Sequence, residues 1–358
     1  MFNLDSIIEV APYSLNKSEK NSLYEDAFFA LTQHHYENCE PYGKILNALN
    51  IDPSIKQDVD NIPFLPVRIF KEHDLRSVEE PQVIKTMTSS GTSGQRPSKI
   101  FLDRDTSKNQ TKVLVKVTSS FIGKKRLPML VIDSKVVLKD RKQFSARGAG
   151  ILGFSMLGRD VTYVLDENME LDVERVEEFH RKHEGSDILI FGFTFMVWEY
   201  FYKKLEELNK KLPLDKAILI HGGGWKKLDE QSVDNNTFKS KLGHVCGIKK
   251  VYNYYGMVEQ TGSIFMECEA GYLHSSIFSD VITRREDFSI CDFNETGVIQ
   301  LLSLLPKSYP GHSILSEDSG IIHGEDNCQC GRLGKYFTVH GRIESAEIRG
   351  CSDTFSEQ

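Results

Sequence analysis

Apolar and polar positions alternate with one rhythm over residues 1–80 and with another beyond them. In the first stretch Leu23, Phe28, Phe29 and Leu31 sit among polar neighbours, which predicts a mainly helical segment. Pro53, Pro63 and Pro66 break the run that follows. After Pro81 the chain changes to short apolar runs at 127–133, 160–165, 187–193, 216–222, 249–256 and 297–305, each strand-like. Between them Val173, Val176 and Phe179 mark one helix face, and Phe195 to Leu212 reads as a longer helix. This alternation predicts an α/β fold with largely parallel sheets flanked by helices. Ligands of such sheets bind at the carboxyl ends of the strands.

A chain of 358 residues is long enough for one large domain with sub-lobes, or for two domains. The net charge of −7 leaves no basic surplus for a phosphate-backbone partner, so nucleic acid is excluded as the expected ligand. No apolar stretch has bilayer-spanning length and the N-terminus carries no secretion pattern, so a cytoplasmic location is expected. The seven cysteines are an odd count in a long chain, which points to reduced thiols rather than a disulfide framework.

The segment KTMTSSGTSGQRPSK, Lys85 to Lys99, carries the most chemistry. Gly91 and Gly94 can turn successive amides inward as an anion nest. Ser89, Ser90, Thr92 and Ser93 add donors, and Lys99 adds charge. Composition alone is equally that of a flexible Ser/Gly loop. It is not a Walker A loop.

The segment instead resembles the signature loop of the adenylate-forming superfamily, with one extra residue between Gly94 and Lys99. Three further matches follow in order. KAILIHGGGWKKL places Gly222, Gly223 and Gly224 where that superfamily lays backbone against adenine, although a strand-to-helix turn explains the triplet as well. NYYGMVEQTG resembles the Y-G-x-[TS]-E motif, which implies Tyr255 and Gly256 at the base and Glu259 holding Mg²⁺ against the phosphates of ATP. Val258 departs from that motif, where a hydroxyl residue is usual. SILSEDSGII and HGRIESAEIRG imply Asp318 at the ribose and Arg342 at the ribose or phosphate, with Glu344 in a hinge. The implied fold is the large N-terminal domain of these enzymes, with mixed and parallel sheets. Its core would span 81–340, with a hinge-like segment and short tail over 341–358.

Full-length relatives continue for about a hundred residues past the hinge, a small-domain length, and carry an adenylation lysine there. This sequence stops at Gln358, so either adenylation proceeds without that lysine or a cation in the main body replaces it. The run GRIESAEIRGCSDTFS closely resembles the acyl-protein synthetases of bacterial luminescence, the long-chain-fatty-acid–luciferin-component ligases. That resemblance implies a fatty acid substrate, a thioester on Cys351 and a partner acyl reductase that forms the aldehyde. A thiolate is the competent nucleophile, and Arg349 could lower its pKa. A C-terminal cysteine without that context would be a chance surface residue.

Cys328 and Cys330 form a C-x-C that, with Cys268 and His274, gives a Cys₃His set suited to tetrahedral structural Zn²⁺. Cys39, Cys246 and Cys291 read as buried small apolar residues. Segments 147–158 and 191–200 have the Gly, Phe and Met content of an alkyl channel, or of ordinary core. Three readings stand side by side: an acyl-protein synthetase, of luminescence or of a polysaccharide pathway; a CoA ligase of the phenylacetate type; and a non-catalytic nucleotide-binding scaffold. The intact loop, Glu259, Asp318 and Arg342 oppose the last.

Overall fold

In a computed structural model, residues 2–89, 96–138, 144–225 and 232–343 are described, in two compact units. One comprises residues 114–256, the other residues up to 113 together with those from 257 onward.

In the unit 114–256, five strands form a parallel array in the spatial order Gly158–Leu165, Leu127–Ser134, Ile188–Phe193, Ala217–Gly222, Lys250–Tyr255. The register pairs Leu130 with Ile190, Ile190 with Leu219, and Leu219 with Val251. Numbered by sequence the order is 2-1-3-4-5, a doubly wound sheet whose direction reverses between Leu127–Ser134 and Ile188–Phe193. Leu127–Ser134, Ile188–Phe193 and Ala217–Gly222 are buried almost throughout and so read as continuous apolar runs, whereas Gly158–Leu165 and Lys250–Tyr255 keep exposed or half-buried polar positions among their apolar ones. The helix Val173–Lys182 buries Val176 and Phe179, as its spacing predicts.

The predicted helix from Phe195 to Leu212 needs correction. A short α-turn, Thr194–Met196, passes into a π-helix over Val197–Tyr202 and then an α-turn that ends at Glu207. Asn209 sits in the left-handed region at φ 50°, a conformation that stops a helix. Leu212 lies beyond it, buried, with its amide on the Val245 carbonyl at 3.0 Å.

The other unit is built on antiparallel pairing. Its strands run in the order Ser279–Arg284, Thr296–Ser303, Ser313–Glu325, Lys335–Arg342, Leu273–His274 and Phe265–Glu267. The expectation of largely parallel sheets therefore holds for one unit, and the fold as a whole is mixed. The helical N-terminal segment is present as Leu4–Glu9, Lys17–Asn38 and Glu40–Ala48. Asn16 caps the longest of these with a reciprocal capping box to Glu19. Phe28 and Leu31 of that helix are buried. Lys20, 1% exposed, fastens it to the sheet through Asp280 at 3.3 Å. Lys335 meets the same carboxylate at 3.4 Å, so the buried charge is compensated. Among the described residues no helix is long and apolar enough to cross a membrane.

Candidate active site

Strands Lys85–Thr88 and Lys99–Leu102 pair antiparallel, and the phosphate-loop segment connects them. Its neck is closed by Ser89 and Ser98. The Ser89 amide donates to the Ser98 carbonyl at 3.2 Å, and the Ser98 amide donates to the Ser89 hydroxyl at 2.9 Å. Ser90, Gly91, Thr92, Ser93 and Gly94 lie outside the described residues. Lys99 is exposed, with its ammonium 3.2 Å from Asp74.

Glu259 occupies the 3₁₀ turn Val258–Gln260 and is 4% exposed. The Tyr309 hydroxyl donates to the Glu259 carbonyl at 2.8 Å, and the Gln260 side-chain Nε2 donates to the Leu301 and Gly311 carbonyls at 3.0 and 2.8 Å. Burial pushes the Glu259 carboxyl above its ordinary range. The Ser98 hydroxyl beside it and the charges of Lys71 and Arg342 pull the other way. Such a carboxyl gains most from a cation, because a positive charge restores its ionised form. Neither Ser98 nor Tyr309 stood out in the sequence, since a buried Tyr is ordinary core.

Asp318 and Arg342 are directly opposite one another on the antiparallel strands Ser313–Glu325 and Lys335–Arg342. Directly opposed residues share a face, so the register brings together two positions far apart in sequence. Glu344 and Cys351 lie outside the described residues, as does Arg349.

In the unit 114–256 the buried strand Ala217–Gly222 delivers the glycine triplet at its carboxyl end. A Cβ on Gly222 would stand 2.4 Å from Tyr254 Cε1, so the ring lies against bare backbone there. Gly223 has φ +76°, which a side chain rarely adopts. Tyr255 is half-buried at the end of Lys250–Tyr255, and Gly256 beyond it is exposed. Tyr254 packs against Phe154 at 5.0 Å, and Phe154 stacks on Phe191 at 4.4 Å. Phe154 and Phe191 are buried core, while Phe193 and Tyr254 are half-buried. Gly153 is explained by close packing, because a Cβ would meet Leu114 at 2.7 Å.

The two cysteine half-sites converge. Ligand atoms of Cys268, His274, Cys328 and Cys330 all lie within 4.8 Å of one another. Sγ of Cys268 and Sγ of Cys328 are 3.9 Å apart, and Cys330 Sγ is 3.3 Å from His274 Nε2. A tetrahedron with metal–sulfur bonds of about 2.3 Å has an edge of about 3.8 Å, so these spacings fit a closed zinc site. Arg332 sits beside the cluster, bonded to Glu269 at 2.5 and 3.2 Å. The remaining cysteines, Cys39, Cys246 and Cys291, are buried as expected.

The fold is that of the large domain of adenylate-forming ligases. A 2-hydroxyisobutyryl-CoA ligase solved with 2-HIB-AMP and CoA superposes with a TM-score of 0.73 at 14% identity, over 93% of this chain and 77% of that one. The chain belongs to the acyl-protein synthetase, LuxE, family, whose profile matches residues 3–358. A long-chain-fatty-acid–luciferin-component ligase of Vibrio harveyi is 22% identical over 365 residues, covering 99% of this chain and 92% of that protein. The Photorhabdus luminescens ligase of the same name is 33% identical over 95 residues, 26% of this chain and 77% of that protein. Membership makes the protein a ligase of the adenylate-forming superfamily that activates acyl groups.

Proposed function

We propose that the protein uses Mg·ATP to convert a long-chain fatty acid to acyl-AMP, then carries the acyl group on Cys351 for a partner acyl reductase. The family and the names of its relatives support the fatty acid and the luminescence-type context. In the first step a carboxylate oxygen bonds to the α-phosphorus, the bond to the β-phosphate breaks, and pyrophosphate leaves with the electron pair. Ser89, Ser90, Thr92, Ser93 and the amides around Gly91 and Gly94 would cradle the phosphates, with Lys99 close in sequence. Glu259 would hold Mg²⁺, which would offset charge on the phosphate oxygens. Gly222, Gly223, Tyr255 and Gly256 would receive the base, and Asp318 with Arg342 the ribose. In the second step the Cys351 thiolate bonds to the acyl carbon and AMP leaves; the thiol proton passes to solvent.

The observation that carries the activation step is the buried Glu259 carboxyl, on a turn whose backbone carbonyl Tyr309 holds, with Ser98, Lys71 and Arg342 nearby. Cys268, His274, Cys328 and Cys330 would hold one structural Zn²⁺. Intact mass spectrometry after incubation with Mg·ATP and fatty acid tests the second step. An acyl-sized increment on wild type that is absent from Cys351→Ser is expected. The same increment on both would remove Cys351 from the account, and rapid turnover by CoA instead would favour the CoA-ligase reading.

A further inference from the structure

We infer that Lys71 is the cation of the main body that faces the reacting phosphates beside Glu259. This rests on the adenylation reading of Glu259 and names a charge that reading leaves unassigned. The segment carrying Lys71 is tied to the site at every step. Leu65 and Pro66 pair in parallel with Ile314 and Leu315, on the strand that continues to Asp318. The Val67 amide donates to the Leu315 carbonyl at 2.9 Å. Arg68 bonds through Nη2 and Nε to Glu317 Oε1 at 3.0 and 3.2 Å. Phe70, 1% exposed, meets the Tyr309 ring edge-on at 6.3 Å, and the Tyr309 hydroxyl holds the Glu259 turn at 2.8 Å.

The short helix Ile69–Glu72, which carries the half-buried Lys71, is thus fixed against the elements that carry Glu259 and Asp318. Its charge, with that of Arg342, bears on the Glu259 carboxyl. Lys99, the lysine of the signature loop, is exposed and lies against Asp74. The chemistry needs such a group. An anionic carboxylate attacks an anionic phosphate while pyrophosphate departs, so negative charge concentrates in the transition state. A compact ammonium held by packed elements stabilises that charge without reorganising.

The test is acid-dependent pyrophosphate release by wild type, Lys71→Gln and Lys71→Arg, with KM for ATP, kcat and Tm measured on each. Lys71→Gln is expected to lose about a hundredfold in kcat, the scale of removing one transition-state donor, with a smaller change in KM and little in Tm. Lys71→Arg, which keeps the charge, is expected to recover part of the loss. Should Lys71→Gln fail to fold, Lys71→Met carries the same comparison. A folded neutral variant within about threefold of wild type, or equal loss in the arginine variant, overturns the role of Lys71 while wild-type activity upholds the adenylation reading. Wild type that releases no pyrophosphate with any acid overturns that reading and this inference with it.

Discussion

Asp318 and Arg342 stand directly opposite each other on neighbouring antiparallel strands. Their opposition would give the proposed ribose-binding pair a rigid base, because register on a sheet is fixed by many ladder bonds at once. Asp318→Asn is expected to raise KM for ATP by roughly ten- to a hundredfold, the value of a hydrogen bond to a charged acceptor of about 1.5–3 kcal/mol. Wild type should also discriminate against 2′-deoxy-ATP, and the variant should not. Equal use of both nucleotides by wild type would place the ribose elsewhere.

Gly222→Ala puts a methyl group where Tyr254 lies, 2.4 Å from Cε1. Overpacking of this kind costs about 1–3 kcal/mol. Denaturant unfolding should show that loss, and adding Tyr254→Leu should restore part of it. Additive losses in the double variant would mean that the two positions do not meet.

The Cys₃His cluster joins the turn after Phe265–Glu267 to the turn before Lys335–Arg342. Metal analysis of protein purified without chelator is expected to find about one zinc per chain, the stoichiometry of a four-ligand site. Cys328→Ser should lose the metal and lower Tm, because binding energy at a structural site is folding energy. A metal-free wild type with unchanged Tm on zinc addition would rule the site out.

His35 and His312 stack at 4.8 Å in the core of the unit that holds Glu259. Burial, then the fields of His312 and His34, hold His35 well below its ordinary pKa; burial, then His34, lowers His312 to about 3. The folded protein therefore keeps both neutral, while the unfolded chain takes up protons below about pH 6.5. Their stabilising contribution is complete above that value and falls with pH, at about 1.4 kcal/mol per pH unit for each histidine down to the folded pKa. His312→Gln should make unfolding free energy less dependent on pH between 6 and 4 by about one proton. An unchanged slope would mean that His312 protonates in the fold.

How much of this was readable in the sequence follows from where polar groups are buried. Three of the five parallel strands, Leu127–Ser134, Ile188–Phe193 and Ala217–Gly222, are buried nearly throughout, so their apolar runs announced them. Ser279–Arg284 is wholly buried yet contains Asp280 and Arg284, each satisfied by distant partners, and nothing local reveals it as a strand. Motif order singled out Glu259, Asp318 and Arg342 as candidates, but not the cross-strand pairing of the last two. The Cys₃His set was legible in the sequence as two half-sites, and the fold brings their ligand atoms within 4.8 Å of one another. Lys71 gave no signal, because its meaning lies in Phe70, Tyr309 and the strand beneath them.

The central claim, that this chain activates a carboxylic acid with ATP, is tested most directly by exchange of labelled pyrophosphate into ATP. With Mg²⁺ and a panel of fatty acids, label should enter ATP only when an acid is present, and Glu259→Gln should abolish it. The absence of acid-dependent exchange in folded wild type, across short and long acids alike, would contradict the account.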